Sequence, residues 1–173
     1  MSKCRFILAS ASPRRKELLT YLSIPFEINP STIEESSSRE VATMYAEDIA
    51  RQKGSDVFNK LVGSDKSIFV VSSDTIVVLD GQIFGKPTDE QDVRYTLRQL
   101  SGRTHQVITA VAMHFFDPKT GEEINLSFHQ ETDVTFCDID SQTLDLYIAS
   151  GESLDKAGAY GIQGMGLIFI KEI

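Results

Sequence analysis

Arg14, Arg15 and Lys16 stand in a row directly after a serine and a proline, in the stretch Ser10-Ala11-Ser12-Pro13-Arg14-Arg15-Lys16. Ser12 is a good N-cap, because its hydroxyl can accept a backbone N–H that has no partner within the helix. Pro13 suits the first helical position, where no N–H is needed. A helix is therefore predicted to begin here. Peptide dipoles leave partial positive charge at that end and favour Asp or Glu there by about 0.3 to 1 kcal/mol each. Cations in this place oppose helix stability but favour an anion, since free N–H groups joined by two guanidinium groups make a strong phosphate site. By local rules alone, Arg15→Glu would complete a capping box with Ser12 and gain about 0.5 to 1.5 kcal/mol. The competing reading is that these side chains simply reach into solvent, as most surface arginines do.

Acidic groups supply the complementary chemistry. Asp74 interrupts "SIFVVSSDTIVVLDGQIFGKP", which otherwise reads as buried strand, and an ionisable group is costly there unless paired or liganded. Glu35 lies in the polar stretch "NPSTIEESSSRE", while Lys86 in Gly-Lys-Pro and Lys156 in Asp-Lys-Ala-Gly are isolated cations. These residue types permit a site for phosphate and a divalent metal.

The elements that must position them follow from periodicity. A short buried strand over Arg5 to Ala9 runs into the Ser12 helix, whose Leu18, Leu19 and Leu22 offer an apolar face. A second helical pattern spans roughly Arg39 to Lys60, with Val41, Tyr45 and Ile49 four apart and a break or C-cap expected at Gly54. Two β-rich runs surround Ser73-Asp74-Thr75, and Asp80-Gly81 signals a hairpin. Thr88 and Gln91 read as a capping box opening a third helix, with Val93, Leu97 and Leu100 on its buried face and Gly102 just past its end. Strands are predicted over about Gln106 to Phe116 and Ser127 to Phe136, then a helix from near Ser141 to Ser150 and a closing strand after a glycine-rich tail.

The bulk numbers exclude several classes. At 173 residues, 41% hydrophobic and 24% charged, the chain reads as one globular α/β domain over 1–173. A net charge of -8 argues against binding nucleic acid through phosphate contacts. The two cysteines, Cys4 and Cys137, form no CxxC pair and the three histidines show no ligand spacing, which reads as a reducing, cytoplasmic setting without a zinc site. No apolar run suits a signal peptide or a membrane span. A P-loop is disfavoured, because GxxxxGK[ST] is absent and "GIQGMG" neither follows a strand nor opens a helix.

Four blocks, "LASASPRRKELL", "SSDTIVVLDGQIFGKP", "LSGRTHQVITAV" and "LDKAGAYGIQG", resemble in order and spacing those of the Maf family of nucleotide pyrophosphatases. The resemblance implies an inosine triphosphate pyrophosphatase-like (Maf/Ham1) fold: a mixed, elongated α/β sheet with flanking helices and a cleft between two lobes. It implies hydrolysis of a nucleoside triphosphate to the monophosphate and pyrophosphate with a divalent metal, Mg2+ or Mn2+. Matched by motif, Ser10 and Arg15 would contact phosphate and Lys53, Lys86 and Lys156 would surround the triphosphate. Asp74 would take the family's proton-acceptor role. Glu35, in preference to Glu34, would join it as the metal-binding carboxylate, an oxygen donor set that magnesium favours.

Arg14, Thr75 and Gln163 resemble the branch acting on thymidine and uridine triphosphates, where the 7-methylguanosine triphosphate branch tends to carry tryptophan, glutamine and glutamate. An amide at 163 can both donate to and accept from the imide edge of uracil or thymine. Two departures are visible: Ser153 replaces a common proline, and relatives usually continue past Ile173 through a Gly-Leu-Pro segment and a final helix, so closure of one side of the cleft is expected to differ. The family's homodimer is an assembly open to this chain. The main expectation is a house-cleaning pyrophosphatase of dTTP, UTP or modified pyrimidine triphosphates; the alternative is a nucleotide-binding regulator of septum formation with little turnover.

Overall fold

The computed structural model describes residues 4–63 and 67–173. In chain order its elements are β1 (Arg5–Leu8), α1 (Pro13–Thr20), β2 (Glu27–Ile28), α2 (Ala42–Leu61), β3 (Ile68–Leu79), β4 (Gln82–Phe84), α3 (Glu90–Leu100), β5 (Thr104–Phe116), β6 (Glu123–Phe136), α4 (Ser141–Ala149) and β7 (Ile170–Glu172). The strands hydrogen-bond in the order β2-β1-β3-β5-β6-β7, with β4 paired to β3, which makes the protein mixed α/β. Contacts divide the chain into two compact units: residues up to Asp74 with Thr109–His129, and Thr75–Ile108 with Gln130–Ile173. Among the described residues no helix is long and apolar enough to cross a membrane.

In the first unit β1 pairs in parallel with both β2 and β3, in the registers Ile7↔Glu27 and Ile7↔Val70. Ile7, Ala9, Val57, Phe58, Ile68 and Val70 form its core under α2. Side chains of β3 alternate between buried and half-buried from Ile68 to Ile76, so Ser72 and Asp74 occupy the buried series. The two β-rich runs expected around Ser73-Asp74-Thr75 are one continuous strand, because Asp74 takes an inward strand position and finds a partner there instead of ending the strand.

Gly54 neither breaks nor caps α2, which runs through it. A Cβ at this position would lie 2.5 Å from Cδ2 of His114 and 2.6 Å from Oγ of Ser72, so the glycine lets the helix approach the sheet closely. That approach is reinforced by Ser72, whose hydroxyl donates to the Ala50 carbonyl at 2.6 Å. Gly54→Ala gains about 1 kcal/mol of helix propensity but overpacks a filled interior, which costs about 1 to 3 kcal/mol. With overpacking dominant at these distances, the expected result is a melting temperature lowered by up to about 8 °C, taking roughly 2 to 4 °C per kcal/mol at this chain length. A thermal melt of the variant at or above the parent temperature would mean that His114 moves aside.

α1 corrects a second expectation. No residue of it is fully buried; Leu18, and Leu22 just past its end, are both 56% exposed, and only Leu19 of the expected apolar face is half-buried. Its start is as predicted, with Ser12 as N-cap and Pro13 in the first turn.

The second unit packs α3 and α4 around Val93, Leu97, Leu100, Phe136, Leu144 and Tyr147. Asp80 and Gly81 turn the β3–β4 hairpin with φ of 52° and 79°, the left-handed pair that a two-residue hairpin requires. The cap of α3 is Asp89, one residue later than the predicted Thr88; its carboxylate accepts the Asp92 N–H at 2.8 Å. Asp92 in turn accepts the Thr88 N–H at 3.0 Å, so a carboxylate, not Gln91, reaches back over the helix start, to the residue before the cap.

Candidate active site

The site grows from the end of β1. Ala9 donates to the Val71 carbonyl at 2.8 Å, so the chain leaves the sheet beside Ser72 and Ser73 before α1 begins. Ser10 is buried, and its hydroxyl accepts the Ser12 N–H at 3.2 Å. Ser12 caps the Arg15 N–H through a long 3.5 Å contact. The Arg15 guanidinium turns inward instead of following the helix axis into solvent: Nη1 donates to the Ser73 carbonyl at 2.7 Å and meets Ser10 Oγ at 3.5 Å. Burial lowers the Arg15 pKa from its ordinary value; Asp74 and Glu35 oppose the shift by stabilising the charge, and Arg14 adds to it. Arg14, its neighbour, is half-buried.

Lys53 reaches the same region from α2. Its ammonium donates to Asp74 Oδ1 at 2.7 Å and pairs with Glu35 Oε1 at 2.8 Å. The side chains of Lys53 and Asp74 are 12% and 10% exposed, whereas that of Glu35 is 48% exposed. The cost of placing Asp74 in the buried strand series is thus offset by a cation at hydrogen-bond distance. The first unit gathers two cations and two carboxylates within a few side chains. Glu34 lines a separate surface hollow together with Arg51, Gln52 and Asp56.

The donor set also bears on a metal. Asp74 and Glu35 converge on one cationic centre, and no group of three or more His, Cys, Asp or Glu side chains capable of holding a metal occurs among the described residues. Two carboxylates without a full protein cage fit magnesium or manganese held jointly with substrate phosphates better than a dedicated structural ion.

The remaining candidates lie in the second unit. Thr75 is half-buried in β3, and Lys86 and Gln163 are exposed. Lys156 is buried and already engaged, its ammonium donating to Asp155 Oδ1 at 2.7 Å and to the Glu152 carbonyl. Tyr160 precedes the turn that carries Gln163, and its hydroxyl shares a 2.6 Å hydrogen bond with Nε2 of His105. Burial pushes the His105 pKa down to about 4, so the ring is neutral at pH 7. Both rings pack edge-on to Phe136.

Sequence reasoning missed two parts of this arrangement. One is the Ser73 carbonyl, a backbone acceptor that no residue type announces. The other is the close approach of Gly54 to Ser72 and His114, which brings α2 close enough for Lys53 to reach Asp74; its sequence signal, a glycine inside a helical pattern, reads only as a break or C-cap.

Comparison with known proteins gives a consistent result. A family model described as Maf-like protein matches residues 5–173. A dTTP/UTP pyrophosphatase of Ruminiclostridium cellulolyticum is 43% identical over 169 residues, covering 96% of this chain and 83% of that protein. One of Bacillus velezensis is 42% identical over 170 residues, covering 98% and 85%. One of Agathobacter rectalis is 40% identical over 178 residues, covering 98% and 86%.

Proposed function

The chain belongs to the Maf family, and on that footing we propose that it is a nucleoside triphosphate pyrophosphatase acting on dTTP and UTP. The observation that carries the mechanism is the placement of Lys53 between Asp74 and Glu35, beside the inward-turned Arg15. The bond to be broken joins the α-phosphorus to the oxygen bridging to the β-phosphate, and water supplies the new P–O bond. Asp74 takes the proton of that water, and the leaving group departs as pyrophosphate. Arg15, with the Ser10 hydroxyl, holds phosphate oxygens; a guanidinium donor is suited to this by charge and by fixed direction. Lys53 transfers its ammonium from Asp74 to a phosphate oxygen as substrate enters, which frees a carboxylate oxygen for the water and offsets charge developing on the phosphates. A divalent magnesium or manganese ion on Asp74 and Glu35 would supply further charge neutralisation of the phosphoryl oxygens.

In the second unit Lys86 and Lys156 are proposed as further phosphate contacts, with Lys156 exchanging Asp155 for substrate. Gln163, with Arg14 and Thr75, is proposed to select the pyrimidine base. The finer reading of the fold as inosine triphosphate pyrophosphatase-like, and a cytoplasmic house-cleaning role, belong to the same proposal. The free thiols of Cys4 and Cys137 are compatible with a reducing setting.

Product analysis over a panel of nucleotides, with magnesium and with manganese, tests the assignment. UTP or dTTP is expected to yield the monophosphate and pyrophosphate in equal amounts. Orthophosphate as the first product would overturn the assigned bond, and nucleotide binding without turnover would favour the regulator of septum formation.

A further inference from the structure

Glu152 ties together two parts of the second unit that carry substrate candidates. Its backbone carbonyl accepts the ammonium of Lys156. Its carboxylate accepts the Met165 N–H at 2.8 Å and the Gly166 N–H at 3.3 Å. These amides open the 3-10 helix Met165–Phe169, whose N-cap, Gly164, has no side chain with which to cap them. An acid distant in sequence therefore does what a neighbouring serine or aspartate does at other helix starts.

The backbone around this contact admits little else. Gly164 has φ of 134°, and a Cβ on it would lie 2.6 Å from Oε2 and 2.7 Å from Oε1 of Glu152. A Cβ on Gly166 would lie 2.7 Å from the Gly161 carbonyl, so the turn from 161 to 166 closes tightly on itself. Tyr160, bonded to His105, fixes where the turn begins, and Glu152 fixes where it ends.

We propose that Glu152 is a positioning residue for base recognition: by capping the two amides that follow Gln163-Gly164, its carboxylate fixes the turn that presents the Gln163 amide to the pyrimidine. The proposal rests on the reading of Gln163 as the base-selecting residue. An amide discriminates between bases by which of its ends donates and which accepts, so its orientation must be held before substrate arrives. Carboxylate-to-amide bonds are charge-assisted and suit that task better than neutral ones. Released from Glu152, the turn samples other arrangements, and apparent affinity falls with the fraction that remains competent.

Steady-state kinetics of the full chain with UTP and CTP test this, using Glu152→Ala, Glu152→Gln, Gly164→Ala and Gln163→Glu. A competent fraction of about one tenth in Glu152→Ala raises KM for UTP about tenfold, leaves kcat within about twofold, and narrows the preference for UTP over CTP by a similar factor. Glu152→Gln keeps a carbonyl oxygen for the Met165 N–H and should fall between parent and Ala variant. Gly164→Ala, which displaces the carboxylate without removing it, should reproduce the Ala phenotype; it carries the test if Glu152→Ala does not fold. A loss confined to kcat in Glu152→Ala would overturn the proposal, since it would place Glu152 in the chemistry or in general stability. Unchanged base preference in Glu152→Ala, with Gln163→Glu altered, overturns the positioning role alone. Unchanged preference in Gln163→Glu overturns the reading of Gln163 and the proposal with it.

Discussion

Asp74→Asn is expected to lower kcat by at least about 100-fold, the low end of what a positioned acid–base group contributes. The amide is isosteric, and its carbonyl oxygen can still accept from Lys53, which also keeps Glu35 at 2.8 Å. What it cannot do is take a proton from water. The effect should therefore fall on kcat, with KM for UTP changed far less and the fold intact by circular dichroism. Retention of most of the activity would remove Asp74 from the proton-acceptor role. It would direct attention to Glu35, the other carboxylate on the same ammonium.

Arg15→Glu is the second substitution with a large expected effect, and the structure reverses the sign that helix rules assign to it. Considered alone, the α1 start gains from an acid at that position, by about 0.5 to 1.5 kcal/mol. In the folded chain, however, the Arg15 guanidinium donates to the Ser73 carbonyl at 2.7 Å and stabilises its charge against Asp74 and Glu35. A carboxylate here abandons that carbonyl and adds a third negative charge around Lys53. Leaving a partly buried acceptor unpaired costs about 1 to 3 kcal/mol, and with the added repulsion the sum exceeds the capping gain. The variant should melt below the parent and gain no stabilisation from added UTP. Its kcat/KM should fall at least about 1,000-fold, the upper end for loss of a single oxyanion donor, because the charge is reversed as well as lost. Thermal melts with and without UTP, beside an activity assay, decide the matter; a variant that melts higher would show that the cap outweighs the inward contacts.

That reversal marks where the sequence stopped being readable. Local rules placed Ser12 at the start of α1, Asp80-Gly81 in a hairpin and Val93, Leu97 and Leu100 on one buried helix face, because each depends on neighbours a few residues away. Gly54 was misread for the opposite reason: within α2 it is only a poor helix former, and its purpose lies in His114 and Ser72, which belong to other elements. Leu18 and Leu22 show the converse, a leucine-rich stretch in which nothing is fully buried. For the candidate site, the residue types pointed to phosphate and metal chemistry, and Asp74 stood out as an acid in an apolar run. Lys53 did not, since a lysine on a helix is ordinary until strand β3 is laid against it. The roles of Lys53, Glu35 and Gln163 came from the family resemblance, not from their spacing.

No residue of α1 is fully buried, Arg14, Arg15 and Leu19 being half-buried, and the helix has only eight residues. A segment of that length is not self-sustaining in water. Its polar contacts include a long serine cap at its start and one arginine reaching the Ser73 carbonyl. Such a segment is expected to open by local fluctuation, at a free energy below that of the whole fold, and hydrogen exchange at its amides would read that opening. The Arg15 guanidinium within it is also the proposed phosphate donor. Anion binding and helix persistence are then two descriptions of one equilibrium, so part of the binding energy of the triphosphate is spent ordering the element that receives it.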